Sequence, residues 1–108
     1  MEISTYQLEA YKTAVYPANV KIIYPALGLA GEAGEVSNQV KKILRDNAGE
    51  LTLERKNKII DELGDVLWYA AALASDIGIS LDVIAEMNLQ KLAKRASDGT
   101  LRGDARKE

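Results

Sequence analysis

Two pairs of acidic residues have a spacing that could do chemistry: Glu32 with Glu35, and Glu62 with Asp65. Residues three apart lie on the same face of a helix. If two such helices pack side by side, the four carboxylates converge and repel each other unless cations bind between them. Carboxylate oxygens are the ligands of hard metals, so the pattern predicts a Mg²⁺ or Mn²⁺ site.

The two acid pairs occupy the same place relative to the apolar side of their helices. At about 100° per residue, the first pair lies at about −100° and −160° from Ala33, and the second pair lies at the same angles from Leu63. Two helices packed antiparallel through these apolar stripes would bring their acid edges together. Acids three apart are also common on solvated helix faces, so spacing alone leaves a purely structural role open.

The composition excludes several kinds of catalytic site. The chain contains no His and no Cys, which rules out Cys/His zinc sites, Ser-His-Asp triads, thiol nucleophiles and disulfides. A net charge of −2 and a pI near 5.2 argue against a nucleic-acid-binding protein. No apolar run reaches about 18 residues, and the N-terminus carries no apolar signal region. We therefore expect a cytoplasmic protein without a membrane span, and the lack of cysteine fits that compartment.

Length and patterning predict one all-α domain over residues 1–99, followed by a polar tail over residues 100–108. No segment shows the alternation typical of a strand. A chain of this length buries only roughly 65% of its unfolded surface, so association with further copies would stabilise it. We expect a homo-oligomer.

Local signals divide the chain into four helices. A candidate capping box, Ser4 with Gln7, begins the first helix, which is expected to stop before Pro17. Pro25 suits the first position of the second helix, which ends near Asp46. The remaining boundaries are a Thr52 cap and a Gly78 stop for the third helix, and a Ser80 cap and an Asp98-Gly99 end for the fourth.

Three glycines, Gly28, Gly31 and Gly34, fall inside the second predicted helix. A glycine in a helix interior costs roughly 1 kcal/mol relative to alanine, so these positions need a compensating reason. Close approach by another helix or by a ligand is the reason that the pattern favours.

Basic residues near the acids are candidates for phosphate binding. Lys58 precedes Glu62 by one turn, and Lys91 and Arg95 lie one turn apart on the fourth helix. Phosphate contact would compensate for the repulsion between the last two. The alternative is a solvent-facing side chain in each case, or a surface ion pair for Lys58.

The same residues resemble three motifs of one enzyme family. Residues 29–36, LAGEAGEV, look like the first motif of the MazG-like nucleotide pyrophosphohydrolases, and residues 62–67, ELGDVL, look like the second. Together they give the E-x-x-E and E-x-x-D signature of that family. Residues 88–95, NLQKLAKR, resemble its third element, N-x-x-K-L-x-x-R. The resemblance covers about residues 27–103, which is most of the chain.

The resemblance implies an all-α, four-helix-bundle-like fold of the kind also seen in dimeric dUTPases. It implies dimers or tetramers with sites at subunit contacts. It also implies Mg²⁺-dependent hydrolysis of nucleoside or deoxynucleoside triphosphates to monophosphate and pyrophosphate, with Mn²⁺ as a substitute metal. By motif position, the metal ligands and catalytic acids would be Glu32, Glu35, Glu62 and Asp65.

Further roles follow from the same resemblance. Lys91 and Arg95 would face the phosphates, and Asn88 and Tyr69 would lie near the nucleoside. Because the chain has no histidine, a carboxylate, Glu35 or Glu32, is the plausible general base. Two alternatives stay open: a related enzyme that acts on another substrate such as a phosphoribosyl nucleotide, or a catalytically silent helical module that keeps the metal site and senses nucleotides or binds a partner.

Overall fold

The structure, a computed structural model, describes residues 1–100 and contains four α-helices, with no strand among those residues. The helices are α1 (Ile3–Tyr11), α2 (Ile23–Asp46), α3 (Leu53–Asp76) and α4 (Leu81–Ser97), and a 3₁₀ turn covers Ala18–Val20. This confirms the predicted all-α fold. The predicted tail, residues 100–108, lies outside the described residues except for Thr100. The division into one domain and a tail therefore stays a prediction.

Two predicted N-terminal caps are present. The Thr52 hydroxyl accepts a hydrogen bond from the Arg55 N–H at 3.2 Å, and the Ser80 hydroxyl accepts one from the Val83 N–H at 3.2 Å. Gly78 follows α3 as expected, with a φ of +80° that glycine adopts without strain. These local signals fix the ends of the helices that carry the second acid pair and the third motif.

The predicted capping box of the first helix is wrong. α1 begins at Ile3, so Ser4 already lies inside the helix, and no side chain caps its N-terminus. Gln7 is instead buried, where its amide nitrogen donates to the Ile79 carbonyl at 3.0 Å and its oxygen accepts the Leu81 N–H at 2.7 Å. Gln7 thereby fastens α1 to the start of α4, a long-range contact that local sequence does not reveal.

α2 and α3 form a helical hairpin joined by residues 47–52. Arg55 holds the loop end of this hairpin together. Its guanidinium donates to Asn47 Oδ1 at 3.0 Å and to Oε1 of the buried Gln39 at 3.3 Å, and it lies 3.6 Å from the Asp46 carboxylate. These contacts fix the register of the two helices and hence which acids face each other.

The packing seam between α2 and α3 differs from the one that we expected. Its buried and half-buried positions follow the helical period on both helices and are Pro25, Gly28, Glu32, Val36, Gln39 and Ile43 of α2, and Ile59, Glu62, Val66, Tyr69 and Leu73 of α3. Glu32 and Glu62 therefore lie on the seam itself rather than at its edge.

Several large apolar side chains of the stripes that we expected to join the two helices are exposed instead, although Ala74 on the same side of α3 is buried. Val40 and Leu44 of α2 are 44% and 71% exposed, and Ile60, Leu63 and Leu67 of α3 are 40–56% exposed. On each helix, the stripe lies about 100° from the seam in the same rotational sense. Because the two helices of a hairpin run antiparallel, both stripes face one side and form a single surface, which we call the apolar face.

α4 packs against α1 and bends away from α3 by 101°. Its apolar residues Val83, Ile84, Met87 and Leu89 are 39–62% exposed. Within residues 1–100, no single helix has both the length and the apolarity to cross a membrane. Only α3 and α4 taken together, across their bend, meet that length and composition criterion.

Candidate active site

Three of the four predicted acids come together at the α2–α3 seam. Glu32 from α2 and Glu62 and Asp65 from α3 each present a carboxylate oxygen, and these oxygens lie within 4.8 Å of one another. Glu32 and Glu62 are half-buried, and Asp65 is exposed. Glu35 is exposed and stands outside this acid cluster, although its charge acts on Glu62. The role of the four acids as metal ligands stays a prediction.

The crowding of carboxylates changes the acidity of Glu62. A hydrogen bond with the Glu32 carboxyl is the largest cause that raises the pKa of Glu62 above its usual value of 4.5, and burial and the charges of Glu32, Glu35 and Asp65 add to it. A pKa raised by these causes indicates negative charge that the surrounding protein does not compensate. A bound cation would compensate it.

The acid cluster has the donor set of a small hard cation. Oxygen ligands of octahedral Mg²⁺ lie about 2.1 Å from the ion, so opposite ligands are about 4.2 Å apart. Adjacent ligands are only about 3.0 Å apart, so three oxygens within 4.8 Å of one another can share one ion after their side chains move by up to about 2 Å. Carboxylate donors also favour Mg²⁺ or Mn²⁺ over softer metals, so the residues present fit the predicted metal.

Two adjoining depressions lie beside the acid cluster. The acid depression, of about 400 Å³, is lined by Thr13, Glu32, Asp65, Trp68 and Tyr69. The aromatic pocket, of about 260 Å³, is lined by Thr13, Val15, Tyr16, Pro17, Tyr24, Trp68 and Tyr69. Because the two share Thr13, Trp68 and Tyr69, one ligand could place charged groups at the acids and a flat ring in the aromatic pocket.

The wall between the two depressions is held by specific contacts. The Trp68 indole N–H donates to the Thr13 hydroxyl at 2.8 Å, and the rings of Trp68 and Tyr69 meet edge to face with centroids 5.0 Å apart. Burial is the largest cause that raises the pKa of Tyr69, and the negative charges of Glu32 and Asp65 add to it. A hydrogen bond with the Tyr24 hydroxyl also raises the pKa of Tyr69, so the Tyr69 hydroxyl stays protonated at neutral pH.

One of the three glycines in α2 makes room for this wall. A Cβ atom at Gly28 would overlap the Tyr69 ring, so the predicted close approach is confirmed there. The approaching group is a side chain of the same chain. At Gly31 and Gly34, apart from the adjacent residues and the backbone of α2 itself, no atom of the described residues lies within 4 Å of such a Cβ.

The far wall of the aromatic pocket is a pair of tyrosines. The rings of Tyr16 and Tyr24 stack with centroids 4.9 Å apart and planes inclined by 23°. Tyr24 in turn faces Tyr69 with centroids 6.3 Å apart. Tyr16 comes from the connection after α1, and Tyr24 from the first turn of α2, so the geometry of the intervening segment decides whether the pair forms.

That intervening segment contains strained backbone at Ile22. Its φ and ψ are +71° and −55°, and the Ile23 N–H donates to the Lys21 carbonyl at 2.8 Å. This is a γ-turn of the rare, strained type, and a β-branched residue rarely adopts a positive φ. Such a conformation costs of order 1–3 kcal/mol and persists only where the surrounding structure enforces it.

Asp76, the last residue of α3, accepts hydrogen bonds from α1 and from the segment between α1 and α2. Its Oδ1 accepts from the Tyr11 hydroxyl at 2.6 Å, and its Oδ2 accepts from the Tyr16 hydroxyl and from the Ile22 N–H, each at 2.8 Å. Burial acts to raise the pKa of Asp76, but the three hydrogen bonds and the charge of Lys21 outweigh it and hold the pKa below its usual value of 3.8.

Lys58 lies at the end of the acid cluster that points away from the aromatic pocket. It lines a third depression with Gln39, Glu54, Asn57, Asp61 and Glu62. Its ammonium lies 3.9 Å from the Glu54 carboxylate, and both side chains are largely exposed. The ion pair that we considered with Glu62 thus forms with Glu54, and Lys58 borders the acid cluster through Glu62.

The candidates on α4 lie elsewhere on the surface. Asn88 and Lys91 line a depression together with Ile77, Ile79, Ile84 and Met87, and within the described residues neither lines the acid depression. Arg95 is buried, with 4% of its surface exposed. The solvent-facing alternative is therefore wrong for Arg95, and its removal is expected to change folding as well as binding.

Sequence reasoning missed several residues of this region. Tyr16 and Tyr24 flank the 17–22 connection, but their stacking depends on the γ-turn, which no sequence signal indicated. Asp76 gave a usable signal, because a carboxylate at the C-terminus of a helix opposes the helix dipole and requires compensation.

The comparison with known proteins agrees with this geometry. The chain belongs to the MazG family: the model of the MazG nucleotide pyrophosphohydrolase domain matches residues 25–100. The matched span contains the acid cluster, Trp68 and Tyr69 and the motif on α4. Tyr16 and Tyr24 precede it.

Relatives extend the similarity beyond that span. The chain is 41% identical over 109 residues to the Gene 37 protein of Mycobacterium phage L5, covering 95% of this chain and 96% of the relative. It is 38% identical over 72 residues to the uncharacterized protein YvdC of Bacillus subtilis (strain 168), covering 62% of this chain and 68% of that relative. No solved structure matches the chain.

Proposed function

We propose that this protein is a Mg²⁺-dependent nucleoside triphosphate pyrophosphohydrolase that forms monophosphate and pyrophosphate from nucleoside or deoxynucleoside triphosphates. The observation that carries the proposal is the convergence of three carboxylates beside an aromatic pocket, within a MazG domain. Cleaning or regulation of the nucleotide pool in the cytoplasm is the role that we attach to this activity.

The acids supply both metal binding and base catalysis in this proposal. A bound Mg²⁺ would neutralise the site, attract the triphosphate and lower the pKa of a water molecule. Glu32, Glu62 and Asp65 would hold the ion. Glu35, exposed beside them, takes the proton from the attacking water, and Glu32 is the alternative base. Water attacks the α-phosphorus, the bond to the α,β-bridging oxygen breaks, and pyrophosphate leaves with that oxygen.

The other candidates divide between the two ends of the substrate. Lys58 lies on the side of the acids away from the aromatic pocket, where it would stabilise charge on the leaving pyrophosphate. Lys91 and Arg95 are the further candidates for phosphate binding. Tyr69 borders both depressions and is placed to contact the nucleoside, and Asn88 is the second candidate for that contact.

The proposal includes a homodimer or homotetramer. The apolar face of α2 and α3 exposes large side chains that one chain leaves uncovered. A second copy that covers this face would bury them. Contacts between subunits also offer a route by which α4 of one chain approaches the acids of another, because Asn88 and Lys91 do not line the acid depression of their own chain.

Product analysis tests the reaction class. The purified protein is incubated with each common nucleoside and deoxynucleoside triphosphate, and with a phosphoribosyl nucleotide, in ¹⁸O-labelled water with Mg²⁺, with Mn²⁺ or with a chelator. We expect monophosphate and pyrophosphate only in the presence of metal, with ¹⁸O in the monophosphate because the attack is at the α-phosphorus. Orthophosphate as the primary product would contradict the proposal. Turnover restricted to a phosphoribosyl nucleotide would favour the related enzyme, and no turnover with Mg²⁺ or Mn²⁺ would favour the silent module.

A further inference from the structure

Asp76 occupies a position that its own helix disfavours. It is the last residue of α3, where the partial negative charge of the helix end repels a carboxylate. The side chain is half-buried and accepts hydrogen bonds from Tyr11, Tyr16 and the Ile22 N–H. All three donors lie between residues 11 and 22, so the carboxylate ties that segment to the end of α3.

Two of these hydrogen bonds control the far wall of the aromatic pocket. The bond to the Tyr16 hydroxyl fixes one ring of the stacked pair directly. The bond to the Ile22 N–H holds the strained γ-turn, and Tyr24, the second ring, follows that turn by two residues. One carboxylate oxygen, Oδ2, therefore places both rings.

The pocket that these rings bound suits a flat, uncharged ring. Its lining contains four aromatic side chains and no charged one among the described residues. Stacking on aromatic side chains is the general way in which proteins hold nucleobases without reading their edges. The acid depression begins on the other side of Trp68 and Tyr69, at the place where the phosphates of the same nucleotide would lie.

We propose that Asp76 is a positioning residue for the nucleobase: by fixing Tyr16 and Tyr24 it shapes the aromatic pocket, while Asp76 itself does not touch the substrate. This inference rests on the proposed function, because it assigns one end of the substrate of that same site. Asp76 is absent from the lining of both depressions, so its effect passes through the two tyrosines.

Two tyrosines provide a matched pair of variants. Tyr11→Phe and Tyr16→Phe each remove one hydroxyl that donates to the Asp76 carboxylate, at 2.6 and 2.8 Å. Only Tyr16 lines the aromatic pocket. If Asp76 acts through the pocket, Tyr16→Phe raises KM about fivefold with kcat within twofold, and Tyr11→Phe leaves both constants within twofold. Equal changes in the two variants would overturn the inference, because Asp76 would then be a general structural contact.

Direct binding separates this inference from the reaction itself. Trp68 is the one tryptophan of the chain and lines the pocket, so its fluorescence reports occupancy. With Mg²⁺ present, we expect each nucleoside monophosphate to change this fluorescence, and Asp76→Asn to weaken that binding about tenfold while the inhibition or binding constant for pyrophosphate stays within twofold. Equal weakening of both ligands, or no response of wild-type Trp68 to any monophosphate, would overturn the inference. If the monophosphates bind as expected but no triphosphate is hydrolysed, only the proposed hydrolysis is wrong.

Discussion

At the scale of single residues, Glu62 is the acid of the cluster whose pKa its neighbours raise. It lies on the seam between the two long helices, within reach of Glu32 and Asp65, and its pKa is raised by that crowding. The spacing of the acids predicted that such a group would form, because residues three apart share a helix face. Spacing did not predict that Glu35 would stand outside the closest group, since that depends on the rotation of α2 about its axis.

Replacing a carboxylate by an amide of the same shape tests whether activity depends on the acid cluster rather than on the acids around it. We expect Asp65→Asn to lower kcat/KM by roughly 100-fold at saturating Mg²⁺, since lost ligands of a metal cost activity on this scale or more. Asp61→Asn is the control. It makes the same chemical change on α3 at an exposed position beside the cluster, and activity should stay within threefold. Near-normal turnover by Asp65→Asn, with helicity intact in both variants, would remove the metal-site assignment.

The raised pKa of Glu62 has a consequence for stability without metal. The folded protein holds this proton more tightly than the unfolded chain, so its stability falls as the pH rises through the raised value and is regained toward 4.5. The opposite shift of Asp76 acts only below 3.8, so the two windows do not overlap. We expect the melting temperature of the metal-free protein to rise as the pH falls from neutral toward 4.5.

Two conditions should flatten that pH response. Glu62→Gln removes the titrating group, and saturating Mg²⁺ compensates the negative charge that shifts it. Melting curves in matched buffers measure both. A response that survives unchanged in Glu62→Gln would assign the effect to another group.

At the scale of the helices, the sequence predicted where the helices begin and end better than it predicted which of their faces pack together. Thr52 and Ser80 cap α3 and α4 as expected, because the cap is a contact within four residues. The apolar stripes that contain Val40 and Leu63 were expected to pack against each other, but these two side chains are exposed. An amphipathic pattern shows that a stripe needs cover, but not whether the cover is the next helix or another chain.

The glycines of α2 allow the helix contact to be tested. Gly28→Ala introduces a methyl group where the Tyr69 ring lies, so we expect a loss of about 1–3 kcal/mol in the free energy of unfolding and a raised KM. Gly34→Ala meets open space and should instead gain up to about 1 kcal/mol from helix propensity. Urea unfolding measures both. Similar stability changes in the two variants would contradict the close packing of Tyr69 on α2.

At the scale of the whole molecule, the hairpin has two unlike sides. One side carries the acid depression and the aromatic pocket, which are partly covered by α1 and the segment after it. The other side is the apolar face, where Leu63 is 51% exposed and Leu44 is 71% exposed. The sequence predicted an oligomer from the small size of the core. It could not place the interface, because that requires the rotation of both helices within the hairpin.

The apolar face is where we expect subunits of the oligomer to contact each other. We expect the 11.8 kDa chain to be a dimer or a tetramer by light scattering at low micromolar concentration. Leu63→Glu places a carboxylate in the middle of the apolar face, and burial of an unpaired charge costs several kcal/mol, so this variant should dissociate to monomers. Leu51→Glu adds the same charge in the loop between α2 and α3, where the leucine is 59% exposed, and should keep the wild-type mass. Since both variants alter net charge equally, a difference between them isolates the buried surface. A wild-type protein that is monomeric and fully active at this concentration would contradict the predicted oligomer. Equal dissociation of both variants would show that the apolar face is not the interface.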